Sequence, residues 1–120
     1  MKHMSISQKI FDNAIWETVA SIAAGDVMSY GEVARAAGFP RHARMVSKAM
    51  SRSTTALPWY RVVRSDRTLA FKPGSEAYNK QKALLETEGV RFLNGKVVAR
   101  ESDETVDLDR LLWGSPDAQI

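Results

Sequence analysis

The chain contains no cysteine, which excludes disulfide bonds, thiolate nucleophiles and cysteine-based zinc sites. Its two histidines, His3 and His42, are far apart in sequence, so we expect no metal site, and we expect no cofactor. Long hydrophobic runs are also missing, since none approaches the roughly 20 residues that span a bilayer. The first residues lack the apolar stretch of a secretory signal. We therefore expect a cytoplasmic protein.

The length and composition are those of one ordinary globular domain. The chain has 120 residues, of which 44% are hydrophobic and 26% are charged, so neither disorder nor a membrane protein is indicated. A chain of this size keeps one core but not two. We predict a single domain over residues 1–120, with a short acidic C-terminal extension from about residue 100.

Positive charge is concentrated in one segment. Residues 41–72 carry a net charge of +7, although the whole chain carries only +3. Acidic residues cluster near the end instead, at Glu101, Asp103, Glu104, Asp107 and Asp109. Such a distribution gives a compact domain a positive face that attracts polyanions, most often nucleic acid. A solvated charged face without a partner is the plainer interpretation of the same pattern.

Apolar spacing and capping residues predict two helices in the first third of the chain. The first is predicted from Ser7 to Gly25, with an inward face of Phe11, Ile15, Val19 and Ile22. The second begins at a capping box formed by Ser29 and Glu32 and ends at Gly38.

A third helix is predicted over residues 41–52, with one apolar and one basic face. The basic face carries Arg41, Arg44, Lys48 and Arg52. A short helix, a glycine turn and a basic amphipathic helix together are typical of a helix-turn-helix, which places its second helix in a DNA groove.

The remaining chain predicts short strands and one more helix. Residues 60–64 and 68–71 are expected to form a hairpin, the wing of a winged helix, with Arg64 and Arg67 near DNA phosphates. A fourth helix is expected between Ser75 and Gly89, then a hairpin at Asn94-Gly95 and a helical turn over residues 108–113. The predicted fold is therefore mostly α with a small β-hairpin wing, a winged helix-turn-helix DNA-binding domain.

Four blocks of residues carry a family resemblance: residues 29–34, 43–50, 58–63 and 84–89. In this order they resemble the DNA-binding domain of O6-alkylguanine-DNA alkyltransferases. The active-site turn of those enzymes reads Pro-Cys-His-Arg-Val, and its cysteine accepts the alkyl group. Here Trp59 takes the cysteine position, as in the alkyltransferase-like proteins, which bind O6-alkylguanine without repairing it. Tryptophan offers a wide apolar face and one N–H donor but no nucleophile.

A second departure from the enzymes is Tyr60, which stands where they have a histidine. That histidine helps to deprotonate the cysteine and pairs with a glutamate that matches Glu88. A phenol with a pKa near 10 is a poor base at neutral pH. We expect no catalysis, and we expect Tyr60 and Glu88 to form a structural hydrogen bond.

The resemblance also implies roles in DNA binding. The family binds the minor groove and rotates the damaged nucleotide out of the duplex. Arg44 matches an arginine that fills the vacated space, and Tyr30 matches a tyrosine that crowds the adjacent phosphate. The lesion pocket is expected to contain Trp59, Tyr30, Met50, Val62, Ala70 and Phe71. The DNA-binding residues are expected to be Arg44, Tyr30, Arg41, Lys48, Arg52, Arg61, Arg64 and Arg67, although Arg61 also suits a purely structural role.

The expected function is a non-catalytic sensor of O6-alkylguanine in double-stranded DNA that signals to nucleotide excision repair proteins. We expect it to act as a monomer associated with the nucleoid. A sequence-specific winged-helix regulator is the main alternative, and it predicts a preferred sequence without a preference for damage. An enzyme with an unrecognised nucleophile is disfavoured, because no Ser-His-Asp or paired-carboxylate arrangement is found in the sequence.

Overall fold

The computed structural model describes the backbone of residues 2–98 and the side chains of residues 7–98. Residues 2–98 contain four α-helices and two pairs of short strands. The structure is mostly helical with one small antiparallel hairpin, as the sequence predicts. Within the described residues, no helix is both long and apolar enough to cross a membrane. The expected helical turn over residues 108–113 and the acidic extension lie outside the described residues.

Helix α1, Lys2–Ala20, begins and ends earlier than expected. Ser7 lies inside the helix and does not cap it, because no proline or glycine precedes it to stop the helix from extending towards the N-terminus. The chain leaves the helix at Ser21, and Gly25 lies beyond the end with a φ of 91°. Ile22 follows the helix but is still buried.

Helix α2, Tyr30–Ala36, has the predicted boundaries. The Ser29 hydroxyl accepts a hydrogen bond from the Glu32 N–H at 3.0 Å, while the Glu32 carboxylate accepts one from the Ser29 N–H at 2.7 Å. At the other end, Gly38 has a φ of 95°, and the Phe39 N–H reaches back to the Ala34 carbonyl at 2.8 Å. This is the Schellman arrangement, which requires a left-handed residue and so favours glycine.

The third helix is shorter than predicted. One 3-10 turn, Ala43–Met45, precedes α3, Val46–Ser51. The helix starts late because residues 39–42 form a turn of their own, in which the His42 N–H donates to the Phe39 carbonyl at 3.0 Å. Pro40 inside this turn has no N–H to contribute to a helix.

The predicted wing is wrong in its position. Strand β2, Val62–Val63, pairs in parallel with β1, Met28–Ser29, and not with residues 68–71. Both valines are buried, which is typical of a short strand covered on both faces rather than of one arm of an exposed hairpin. Residues 64–68 form a tight turn, and Thr68 bridges to Lys96 instead.

Helix α4, Glu76–Thr87, and the hairpin that follows it are found as predicted. The Ser75 hydroxyl caps α4 by accepting from the Tyr78 N–H, and Gly89 ends the helix with a φ of 91°. Strands β3, Arg91–Leu93, and β4, Lys96–Val98, pair around Asn94 and Gly95. Both turn residues have positive φ, as a type I′ hairpin requires.

The core joins α1, α2 and α3, and the contact of α1 with α3 is reinforced by polar groups. The Trp16 indole N–H donates to the Ala49 carbonyl at 2.7 Å. The Arg52 guanidinium forms a two-pronged ion pair with Asp12 at 2.7 and 2.8 Å. Asp12 is only 4% exposed, so this pair fixes the position of α3 on α1.

We therefore expect Arg52→Ala to destabilise the fold. Without its partner the Asp12 carboxylate is left buried and unsatisfied, which costs about 1–3 kcal/mol of unfolding free energy. Urea denaturation measures the change. Lys48→Ala is the matched control, since Lys48 is an exposed residue of the same helix, and it should change the stability by roughly 0.5 kcal/mol or less. Equal, small changes in both variants would contradict this role of Arg52.

Candidate nucleic-acid interface

Trp59 begins a single 3-10 turn, Trp59–Arg61, directly after Pro58. The indole is half-buried. Its ring meets those of Tyr60 and Phe71 at nearly right angles, with centroid distances of 5.8 and 6.3 Å. Phe71 is 39% exposed, so the pair offers an aromatic surface at the edge of the protein, a kind of surface on which a nucleobase stacks.

Glu88, just after α4, holds this turn in place. Its carboxylate accepts hydrogen bonds from Arg61 Nε at 3.0 Å and from Arg61 Nη2 at 2.5 Å. The Gly25 N–H donates to the same carboxylate at 3.1 Å, and Arg61 Nη1 donates to the Ile22 carbonyl at 2.7 Å. The cluster ties the end of α4 and the loop after α1 to the turn that carries Trp59.

The expected hydrogen bond between Tyr60 and Glu88 is present, with the phenol donating to Oε2 at 2.8 Å. The Arg61 guanidinium, aided by Tyr60 and Gly25, lowers the pKa of Glu88 to about 2. Conversely, the hydrogen bond to Glu88 raises the pKa of Tyr60. At neutral pH Tyr60 is therefore a neutral donor, and neither group is suited to remove a proton from a nucleophile.

Gln81 of α4 supports the same turn from inside the protein. The side chain is 2% exposed, and its amide nitrogen donates to the carbonyls of Tyr60 and Val62 at 3.0 and 3.2 Å. Because a buried amide must find partners, these bonds fix the backbone on the C-terminal side of Trp59.

A surface cavity of about 580 Å³ lies between the start of α2, the segment around the 3-10 turn before α3, and the chain that follows β2. Its lining residues are Tyr30, Gly31, Ala43, Arg44, Ser47, Arg64, Ser65 and Ala70. It thus brings together four residues expected at the lesion or at DNA, namely Tyr30, Arg44, Arg64 and Ala70. Burial raises the pKa of Tyr30, and the Arg64 guanidinium partly opposes that rise. The phenol is therefore protonated at neutral pH and able to donate.

Of the six residues expected in the lesion pocket, Tyr30 and Ala70 line this cavity, whereas Trp59, Met50, Val62 and Phe71 do not. The burial of Val62 corrects the sequence-based expectation. Val62 is 1% exposed and belongs to the main core, so its side chain has no surface to offer a ligand. Met50 packs against the same core as a partly buried residue. The burial of Val62 follows from the pairing of β1 with β2, which turns its side chain inward.

The basic residues divide into two groups. Arg52 and Arg61 form ion pairs with Asp12 and Glu88, and Arg67 lies 3.3 Å from Glu32. Arg61 is the clearest correction, because its side chain is only 15% exposed and serves the protein rather than DNA. The other basic residues expected at DNA are exposed and have no ion pair inside residues 7–98; they are Arg41, Arg44, Lys48 and Arg64.

The model of one protein family matches residues 10–90, and its description is the DNA-binding domain of 6-O-methylguanine DNA methyltransferase. The chain belongs to this family. The match contains α2, α3, the Trp59 turn and α4, and so all the residues of the interface.

Relatives of this chain include an alkyltransferase-like protein and a DNA base-flipping protein. Alkyltransferase-like protein 1 of Schizosaccharomyces pombe is 39% identical over 84 residues, which are 68% of this chain and 78% of that protein. The DNA base-flipping protein of Escherichia coli is 35% identical over 105 residues, covering 86% of this chain and 74% of its own. The crystal structure of S. pombe Atl1 with damaged DNA containing O6-carboxymethylguanine superimposes with a TM-score of 0.64 at 34% identity, covering 78% of this chain and 91% of that one.

The sequence did not predict several residues of this candidate interface. Ser47 and Ser65 line the cavity, but isolated serines give no signal in one sequence. Gln81 also supports the Trp59 turn, but its partners lie 19 and 21 residues away in sequence and give no local signal.

We predict that Glu88→Gln makes stability less dependent on pH in acid. The folded-state pKa of about 2 lies below the usual 4.5, so the carboxylate stabilises the fold above pH 4.5 and loses this effect as the pH falls towards 2. The wild type should be more stable than the variant by about 3 kcal/mol at pH 7, with the gap closing between pH 5 and 2.

Denaturation at a series of pH values measures this gap. The control is Glu86→Gln, an exposed residue of α4 whose nearest cation is 3.8 Å away, and it should leave the profile almost unchanged. A constant gap between wild type and Glu88→Gln from pH 7 to pH 2 would show that the ionised carboxylate is not the stabilising species.

Proposed function

We propose that this protein binds double-stranded DNA containing O6-alkylguanine, turns the damaged nucleotide out of the helix and holds it without removing the alkyl group. The observation that carries the proposal is the Trp59 turn. A half-buried indole stands where the enzymes of the family carry their cysteine, while the groups that support the turn, Arg61, Gln81 and Glu88, are all engaged.

The absence of alkyl transfer is supported by chemistry at three points. The chain has no cysteine to accept the alkyl group. The Tyr60 hydroxyl donates a hydrogen bond to Glu88, and this bond raises the pKa of Tyr60. Glu88 itself has a pKa of about 2 and is already occupied by Arg61. Nucleophile and base are therefore both missing, although the geometry of the turn is intact.

Binding of damaged DNA is supported by the relatives and by the charges at the site. One relative is named an alkyltransferase-like protein and another a DNA base-flipping protein. The crystal structure of Atl1 contains damaged DNA with O6-carboxymethylguanine. Four exposed basic residues that have no ion pair inside residues 7–98, Arg41, Arg44, Lys48 and Arg64, lie on α3, in the segment before it and directly after β2. They supply the phosphate contacts on which such binding depends.

Two residues of the cavity have separate roles in the proposal. Arg44 fills the space that the nucleotide vacates, since its planar guanidinium both stacks and donates hydrogen bonds to the orphaned base. Tyr30 crowds the neighbouring phosphate. The everted base then lies against Trp59 and Phe71, where aromatic contact contributes ~1–3 kcal/mol. This offsets much of the few kcal/mol that extrusion costs, and the cost is lower for a damaged, weakly paired guanine.

We propose further that the bound protein acts as a monomer in the cytoplasm, on the nucleoid, and marks the lesion for nucleotide excision repair proteins. A tightly held lesion that is not repaired by its reader needs a second system to remove it. A sequence-specific regulator is the competing function, and a binding preference for one undamaged sequence would favour it.

Trp59→Ala should reduce the preference for damage. Loss of the aromatic contact should weaken binding to an O6-methylguanine duplex about tenfold or more, with little change for the matched undamaged duplex. Fluorescence anisotropy with two oligonucleotides that differ only at guanine O6 measures both affinities. Leu93→Ala, which removes an exposed apolar residue of the β3–β4 hairpin, should affect neither. Equal losses on both duplexes would place Trp59 outside the lesion pocket.

Trp59→Cys alone should not produce an efficient alkyltransferase. The new thiol would stand beside a phenol that donates to Glu88, and no base would be available to form the thiolate at neutral pH. Transfer of a labelled methyl group from DNA to the protein measures this. The double variant Trp59→Cys, Tyr60→His should be faster than the single variant. Rapid transfer by Trp59→Cys itself would refute the role given to Tyr60.

A further inference from the structure

The parallel pairing of β1 and β2 sets two polar residues side by side. Ser29 is opposite Val63 in the register of this pair, so the next residue of each strand, Tyr30 and Arg64, leaves the ladder at the same end. Both residues line the 580 Å³ cavity. The Arg64 guanidinium is close enough to the Tyr30 hydroxyl to lower its pKa against the effect of burial.

The backbone of Arg64 is fixed although its side chain is exposed. Its N–H donates to the Thr68 carbonyl at 2.9 Å, and its carbonyl accepts from the Arg67 N–H at 2.8 Å. The preceding residue, Val63, is fully buried. Within residues 7–98 the Arg64 guanidinium has no ion pair, in contrast to Arg61 and Arg67 on the same stretch of chain. Hydrogen bonds from Thr68 and, to a smaller extent, the charge of Arg64 lower the pKa of Asp66, so this carboxylate lies in the neighbourhood of Arg64. No carboxylate of residues 7–98 forms an ion pair with Arg64, however, and the fold therefore holds at the cavity a guanidinium without a direct anionic partner.

The cavity is lined by groups that favour an anion. Arg64 and Arg44 contribute two guanidinium groups, Tyr30 a protonated phenol, and Ser47 and Ser65 hydroxyls. Among the described residues that line it, none is an aspartate or a glutamate. Arginine and hydroxyl donors around one site match the oxygens of a phosphodiester, to which charge-assisted hydrogen bonds are strongest.

We propose that Arg64, with the Tyr30 hydroxyl, forms a binding site for one DNA phosphodiester, next to the nucleotide that has been turned out of the helix. This proposal rests on the proposed function, and it assigns different roles to the two arginines that line the cavity. Arg44 enters the duplex, whereas Arg64 holds the backbone of the extruded nucleotide. Arg64 is thus a positioning residue that stabilises the everted state.

A double-mutant cycle between protein and DNA tests the assignment. The probe is an O6-methylguanine duplex in which each phosphate near the lesion is replaced in turn by an uncharged methylphosphonate. Arg64→Gln should weaken binding to the unmodified lesion duplex about tenfold and reduce the slope of log affinity against log salt by about 0.9. On the duplex that lacks the contacted phosphate charge, the same substitution should have an effect of roughly twofold or less.

Two further variants sharpen the result. Arg64→Lys keeps the charge, so it should retain most of the salt slope and show the same coupling to the same phosphate. Lys48→Gln removes an exposed charge that does not line the cavity, so its effect should add independently of the methylphosphonate at that position. Unchanged thermal unfolding of all three variants shows that the fold is retained.

The outcomes separate this proposal from the function on which it rests. If the wild type does not prefer the lesion duplex, the proposed function fails. If the preference is present but Arg64→Gln and every methylphosphonate act additively, Arg64 does not bind a phosphate and the present proposal alone is overturned. Equal coupling of Lys48 and Arg64 to one phosphate would also overturn it, because the effect would then be general electrostatics.

Discussion

The carboxylate of Glu88 is the group on which the geometry of the interface depends. It accepts hydrogen bonds from Arg61, Tyr60 and the Gly25 backbone, and these three partners belong to segments that are distant in sequence. Ionised carboxylates with several donors strongly favour the folded state. The turn that presents Trp59 is therefore held from the end of α4, and its position does not rely on a ligand. Substitution of the residue at position 59 alters the chemistry of the turn without removing its supports.

This arrangement explains how a family built around a reactive cysteine accommodates a member without one. The support of the turn comes from Arg61, Gln81 and Glu88, and none of these is the nucleophile. Under the proposed function, Trp59 in place of the cysteine and the hydrogen bond of Tyr60 to Glu88 leave the site without a nucleophile and a base, and the structure provides a cavity with exposed cations for binding. In energetic terms, recognition by extrusion requires that contacts in the site offset the cost of breaking base stacking. An aromatic surface supplies such contacts without a reactive group.

The distribution of the basic residues shows the limit of counting charges along a sequence. Eight basic residues between positions 41 and 72 suggested one positive face, but Arg52 and Arg61 are bound to carboxylates inside the protein. The partner of Arg52 is 40 residues away and that of Arg61 is 27 residues away. The charges along a sequence describe a surface only after the residues in such internal ion pairs have been left out of the count. The ion pairs form between distant segments, so the local charge pattern does not reveal them.

The sequence alone determined the features that depend on neighbouring residues. The capping box at Ser29, the glycine end of α2, the capped helix α4 and the Asn94-Gly95 turn follow from local hydrogen bonding and backbone sterics. The family was identified from four ordered blocks of residues, at 29–34, 43–50, 58–63 and 84–89. Only the tertiary structure decided that Val62 and Val63 pair with β1, that Val62 belongs to the core, and that Tyr30 and Arg64 share one cavity. These outcomes depend on which distant strands and side chains meet, and that choice is made by burial of the whole core rather than by any local preference.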